Sequence, residues 1–349
     1  MQTAIYAILI FSLLIFIHEF GHFFVAKLVG VRVEEFSIGM GPKALAFKKG
    51  DTQYSVRLLP IGGYVKMTGE TGEDEESDLS PEDPRRFNNK TVLQRAAVII
   101  AGPLMNFLLA ILIFTFIFSS IGMPFYSSQV DDVVANSPAA KAGLLKGDKI
   151  ISVDGKEVNE LNEVIQLIHG RSGENINFKI ERDGKQHNIV IAPQYDPEQK
   201  ADLIGIMATD PEWKTYSFSQ SIGKSAEQTY QVISLTLSEI SKMITGKVGT
   251  EGVTGPVGIV KIIGDSAKVG ILPILNLTAL ISISLGLMNL LPIPALDGSR
   301  LIFLLIEGLR GKPIDAKKEN LVHFVGFALL MMLMIFITYK DIMGLGNIG

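Results

Sequence analysis

The stretch Leu13–Phe24, LLIFIHEFGHFF, sets His18, Glu19 and His22 inside one of the most apolar runs of the chain. Ionisable side chains are expensive in hydrocarbon, and where they occur they mark functional positions. The run around them, Ala4–Ala26, has the length of a helix crossing a bilayer, about 20 residues. Ala96–Ser119, Leu272–Leu296 and Leu321–Tyr339 have the same character. Composition agrees: of 349 residues, 47% are hydrophobic, and the mean hydropathy is +0.32. No basic residue precedes the first run, which favours a retained span over a cleaved signal peptide. The expected fold class is therefore a polytopic α-helical membrane protein with four transmembrane helices.

The formal net charge of −4 gives no basic patch for nucleic acid. With no cysteine, a transition metal would have to be held by histidine and carboxylate. Basic residues set the orientation, since they concentrate in cytoplasmic loops. Lys27, Arg32, Lys43, Lys48 and Lys49 follow the first span, and Arg85, Arg86, Lys90 and Arg95 lead into the second. Arg300, Arg310, Lys312, Lys317 and Lys318 fill the loop between the third and fourth. Both loops are predicted to be cytoplasmic, and both termini, with the segment from about 120 to 270, extracytoplasmic.

Four regions are expected. Residues 1–119 form the first half of a membrane core, with a β-rich loop over 33–68 and an acidic, disordered loop over 69–84. Residues 126–210 form a compact α+β domain whose Asp154-Gly155 and Asp183-Gly184 pairs signal two-residue hairpin turns. Residues 215–270 contain an amphipathic helix: Ile222, Ala226, Tyr230, Ile233, Leu237, Ile240 and Ile244 share a stripe that suits either a membrane surface or core packing. Residues 271–349 complete the core.

H-E-x-x-H on a helix aims two imidazoles at one ion, because residues i and i+4 share a face about 5–6 Å apart. Glu19 lies about 100° around the axis, placed to act on water rather than as a ligand. Zinc suits such a set and keeps a coordination position for water. At 1.5 Å per residue, His18 lies roughly 21 Å in from the outer face. Asp297, at the end of the third span in NLLPIPALDGSR, lies toward the same cytoplasmic side. Pro292 and Pro294 free carbonyls before it, which a membrane tolerates only beside a cavity. Asp297 reads either as a third ligand or as an interfacial carboxylate beside Arg300.

HEFGH, GGYVKM (Gly62–Met67), AGPLMN (Ala101–Asn106), GPVGI (Gly255–Ile259) and NLLPIPALDG (Asn289–Gly298) together resemble the bacterial site-2 proteases that process anti-sigma factors. The run SPAAKAGLLKGDKIISVDG (Ser137–Gly155) resembles circularly permuted PDZ domains of envelope proteases. The resemblance implies one zinc per chain held by His18, His22 and Asp297, with Glu19 as catalytic base. It places Asn289, Pro292, Pro294, Asn106, Gly62, Gly63 and Tyr64 at the substrate and makes the 33–68 element a membrane-associated β-hairpin. It assigns Leu203, Ile204, Gly205 and Ile206 to the PDZ groove. Where a second glycine is expected after LDG, this chain has Ser299.

The expected activity is cleavage of single-span membrane proteins, such as anti-sigma factors or signal-peptide remnants, in the bacterial cytoplasmic membrane. An extracytoplasmic site-1-type protease would cut first. Two other classes are open to the residues: a catalytically silent scaffold presenting the PDZ domain, and a metal transporter. Glu19 argues against the first, and the lack of repeated spans against the second.

Overall fold

The computed structural model describes residues 2–70, 78–197, 199, 201–208, 211–246, 249 and 254–346. Its contacts separate two units, Met1–Ile117 with Phe218–Gly349, and Phe118–Ser217.

The first unit begins with α1 (Gln2–Leu28), β1 (Val33–Lys49), β2 (Thr52–Met67) and α2 (Val92–Phe116). A capping box between Thr91 and Gln94 starts α2. The Phe118–Ser217 unit holds β3 (Met123–Phe125), β4 (Val130–Val133), α3 (Pro138–Lys141), β5 (Lys149–Val153), β6 (Lys156–Glu157), α4 (Leu161–Ile168), β7 (Ile176–Arg182), β8 (Lys185–Ile191), β9 (Gln194–Asp196), β10 (Ala201–Leu203), β11 (Ile206–Ala208) and β12 (Glu212–Lys214). The chain then returns to the first unit as α5 (Phe218–Ile244), α6 (Pro256–Val269), α7 (Ile271–Leu290), α8 (Asp297–Arg310) and α9 (Ala316–Gly346).

Among the described residues, 4 helical segments are long and apolar enough to cross a membrane: Gln2–Leu28, Val92–Ile121, Ile271–Leu290 and Lys317–Met343. The third ends at Leu290, six residues short of the span expected to reach Leu296. Pro292 and Pro294 cause this. Each lacks an N–H and disfavours helix in the residue before it, and Leu291 is extended at ψ 145°. Helices α1, α6 and α7 bury Ala7, Ile10, Leu14, Ile263 and Ile274 together.

The β element is more folded than a simple hairpin. Lys49 and Thr52 close a two-residue turn, and Lys43–Lys49 pairs with Thr52–Arg57. Glu35–Ile38 pairs with both Gln53–Val56 and Gly63–Lys66, so β2 doubles back around the start of β1. Of the acidic run 69–84, residues 71–77 lie outside the described residues; beyond them Asp78 pairs with Arg32 and Leu79 is buried.

Helix α5 reverses the packing its apolar stripe suggests. Ser221, Ser225 and Thr229 are the buried positions, and Thr115 Oγ1 on α2 donates to Ser225 Oγ at 3.1 Å. Ile222, Tyr230, Leu237 and Ile244 are exposed, which sets the core-packing reading aside. The contact between α5 and α2 is thus made by small polar side chains, with the apolar stripe left facing outward.

The Phe118–Ser217 unit has its own core, centred on Ile150, Val153, Val164, Ile168, Ile176, Phe178, Ile180 and Ile191. Its main sheet runs β6-β5-β7-β8, and β11 pairs with β4. Asp154 and Gly155 (φ 47° and 79°), and Asp183 and Gly184 (φ 49° and 74°), occupy the left-handed region, as two-residue hairpin turns require. Ile204 is buried in the core rather than open to a groove. Its carbonyl accepts from Ala139 N–H at 2.8 Å, and that of Gly205 from Val134 N–H at 2.9 Å. Leu203 ends β10, and only Ile206 lies on the strand that could border a groove.

Candidate metal centre

His18 and His22 sit one turn apart on α1, and their rings stand edge to face with centroids 4.9 Å apart. Asp297 opens α8 immediately after the proline-broken segment. His18 Nε2 lies 3.1 Å and His22 Nε2 3.4 Å from Asp297 Oδ2, and the two Nε2 atoms are 3.2 Å apart. Four-coordinate zinc with bonds of about 2.0–2.1 Å sets its ligand atoms about 3.3 Å apart, the spacing found here. These side chains form a group able to hold a metal ion.

The neighbours of the triad fit that reading. His22 Nδ1 donates to Val98 O at 2.9 Å, which leaves the Nε2 lone pair free to face the other two atoms. Asn106 sets its amide 3.3 Å from His18 Nδ1. The Asn106 oxygen is buried without a partner among the described residues, and a half-turn of the amide brings it onto Nδ1 as acceptor. Asp297 Oδ2 is likewise buried with no hydrogen bond. Three lone-pair atoms converging within 3.4 Å repel one another unless a proton or a metal ion lies among them, and the donor set fits zinc.

Close helix approach makes this possible. A Cβ on Gly21 would strike the Ala101 carbonyl, and one on Gly102 would strike the His22 ring. The glycines of HEFGH and AGPLMN thus let α1 and α2 meet at the triad. Ser299, in place of the expected glycine, donates from Oγ to Leu296 O at 2.8 Å and fits the start of α8.

A cavity of about 300 Å³ opens onto the triad, lined also by Glu19, Tyr64, Glu70, Asn289, Ala295 and Arg300. Gly63 packs against Glu19. Tyr64 is tied to Arg57, whose Nη2 donates to Glu35 at 2.8 Å. The structure therefore gathers His18, Glu19, His22, Asp297, Asn289 and Tyr64. It does not bring every expected residue to the cavity. Asn106 stands behind His18 and is fully buried, because the α1–α2 crossing turns it toward the imidazole; Gly62 lies against Met40, and Pro294 against Gly326. Pro292 is not among the residues lining the cavity.

Two charged residues at the cavity were not assigned to the site by sequence reasoning. Glu70 and Arg300 form an ion pair, and with Ile99 they also line an adjoining cavity of about 670 Å³. That larger space is bounded by the Asn88–Thr91 loop, the Arg95–Glu307 ion pair and His323. Arg300 was visible beside LDG, but nothing local pairs it with Glu70, 230 positions away.

Comparison with known proteins gives this geometry its context. The profile of Peptidase family M50 matches residues 6–333. A chain of Clostridium acetobutylicum is 42% identical over 96% of both chains. The zinc metalloprotease RasP of Geobacillus kaustophilus is 34% identical, covering 98% of both. The regulator of sigma-W protease RasP of Bacillus subtilis is 32% identical, again over 98% of both. A solved PDZ domain of the SdrC-like protein of Listeria innocua is similar to 25% of this chain and 98% of that one, at 26% identity and a TM-score of 0.23. The family profile and the full-length relatives carry the peptidase reading rather than the scaffold or the transporter. The chain belongs to Peptidase family M50, and it is a multi-pass membrane zinc metalloprotease.

Proposed function

We propose that the chain hydrolyses single-span membrane proteins, anti-sigma factors among them, after a first extracytoplasmic cut, and that His18, His22 and Asp297 hold its one zinc ion. The observation that carries this is the triangle of Nε2, Nε2 and Oδ2 atoms opening on the same cavity as Glu19. When bound, zinc supplies a Lewis acid for the scissile carbonyl and acidifies water. Glu19 takes the proton of the attacking water onto its carboxylate and delivers it to the departing peptide nitrogen. The C–N bond breaks as the new C–O bond forms, leaving a carboxylate and an amine.

A helical peptide bond hides its carbonyl, so the substrate must be extended before it can react. The Gly63–Met67 segment supports this role. It pairs with Val33–Ile38 and carries Tyr64, Val65 and Met67 into the cavity wall, so a substrate strand added beside it runs past the zinc site. Asn289 also lines the cavity and offers a side-chain amide. The basic loops put this element, the larger cavity and the Arg95–Glu307 pair on the cytoplasmic side, with both termini and the PDZ domain outside. Water then reaches the site through the larger cavity, past Glu70 and Arg300.

The test is co-expression with tagged single-span substrates trimmed to mimic the first cut. Wild type should convert the membrane-bound fragment to a shorter product, and Glu19→Gln should accumulate it. A Glu19→Gln chain that still processes the fragment would overturn the proposal.

A further inference from the structure

Helix α9 supplies no ligand and packs on little of the protein: 6% of its spanning window is buried, against 28–44% for the other three. It is nevertheless fastened at two places. Near its C-terminal end, Asp341 accepts from Gly255 N–H at 3.2 Å and from Gly258 N–H at 2.8 Å, holding the start of α6. Near its N-terminal end it grips the segment that leads into Asp297.

Backbone accounting shows how that grip works. Between α7 and α8, Pro292 and Pro294 have no N–H to give. Leu291 N–H donates to Met288 O, Ile293 N–H to Leu291 O, and Leu296 N–H to Ile293 O. Ala295 N–H alone leaves the segment, donating to His323 Nδ1 on α9 at 3.1 Å. Ala295 stands at φ 74°, a left-handed conformation that an alanine holds only when its surroundings enforce it. One turn along α9, a Cβ on Gly326 would overlap Pro294. The Phe303 ring meets His323 edge-on, centroids 5.6 Å apart, and fixes the imidazole from the α8 side.

We infer that His323 is a positioning residue: by accepting the Ala295 N–H, with Gly326 seating Pro294, it sets the turn that delivers the Asp297 carboxylate to His18 and His22. The fourth span thereby shapes the metal site without touching the metal. This rests on the ligand set proposed above.

The test uses the full-length chain in detergent or nanodiscs, with zinc affinity read by chelator competition and cleavage by steady-state kinetics. Asparagine places an acceptor near the position of Nδ1; glutamine carries its amide out toward Nε2. His323→Gln should lose about 10–100-fold in zinc affinity, the range for groups that orient ligands. Its kcat should fall with KM unchanged, and His323→Asn should restore both to within about threefold of wild type. Gly326→Ala should resemble His323→Gln. Equal affinities for wild type and His323→Gln overturn the inference, as does an Asn variant as impaired as the Gln variant. Asp297→Ala separates the two claims. If it loses zinc while His323→Gln keeps it, only the positioning role fails; if it keeps zinc, the ligand set fails.

Discussion

At the scale of residues, the metal centre is a problem of lone pairs. Two imidazoles and a carboxylate are held within 3.4 Å of one another in a poorly hydrated place, and Glu19 stands beside them without entering the triangle. Replacing Glu19 by glutamine should therefore leave zinc content unchanged while cleavage falls about 10²–10⁴-fold, the usual worth of a positioned general base. Metal analysis alongside single-turnover cleavage checks both halves, and a loss of zinc would mean that Glu19 also ligates. The i, i+4 histidines were legible because helix geometry alone fixes their shared face. Asp297 was legible as a candidate because its depth and the two prolines before it could be reckoned along the chain. The place of Asn106 behind His18 was not, since it depends on where two helices cross. The Glu70–Arg300 pair was hidden because its members lie 230 positions apart, one in the bend after β2 and one on α8.

Among the elements, the crossing of α1 and α2 carries a prediction whose sign is informative. Alanine favours helix over glycine by about 1 kcal/mol, so intrinsic propensity alone would make Gly102→Ala stabilising. The added methyl would instead meet the His22 ring. Gly102→Ala should weaken zinc binding by at least about tenfold, measured by chelator competition. In the Phe118–Ser217 unit, Asp148 is almost fully buried, which by itself would raise its pKa. Hydrogen bonds from Arg182 Nε and Nη2, both at 2.7 Å, and from Leu145 N–H at 2.8 Å, outweigh this and hold it below the ordinary aspartate value. Because the folded pKa is depressed, the stability it contributes is present above the unfolded value of about 3.9 and is lost as pH falls through the folded one. Thermal melts of this unit between pH 7 and pH 2 should show that loss, and Asp148→Asn should flatten it while costing about 1–3 kcal/mol at neutral pH. The main strands of this unit could be read from period-two alternation and Asp-Gly turns. Helix α5 could not be settled, because its stripe suits either a membrane surface or a core, and the pattern does not say which face meets α2.

For the molecule as a whole, the arrangement in the bilayer decides whether the chemistry has access to water and substrate. The proposed orientation puts the polar cavity, the β edge and the basic loops on the cytoplasmic side, and the segment Phe118–Ser217 outside. The distribution of Lys and Arg supports that proposal, and the chain is convenient for testing it because it contains no cysteine. Lys48 on β1, Lys156 on β6 and Lys312 after α8 are all exposed, so single cysteines there should leave packing undisturbed. In spheroplasts, a membrane-impermeant maleimide should label Lys156→Cys at once. Lys48→Cys and Lys312→Cys should react only after the membrane is permeabilised. Labelling of Lys312→Cys in sealed spheroplasts would invert the orientation. It would put the larger cavity on the outside, and the cytoplasmic water path would fail with it, since that path and the loop charges stand on the same side of the same helices.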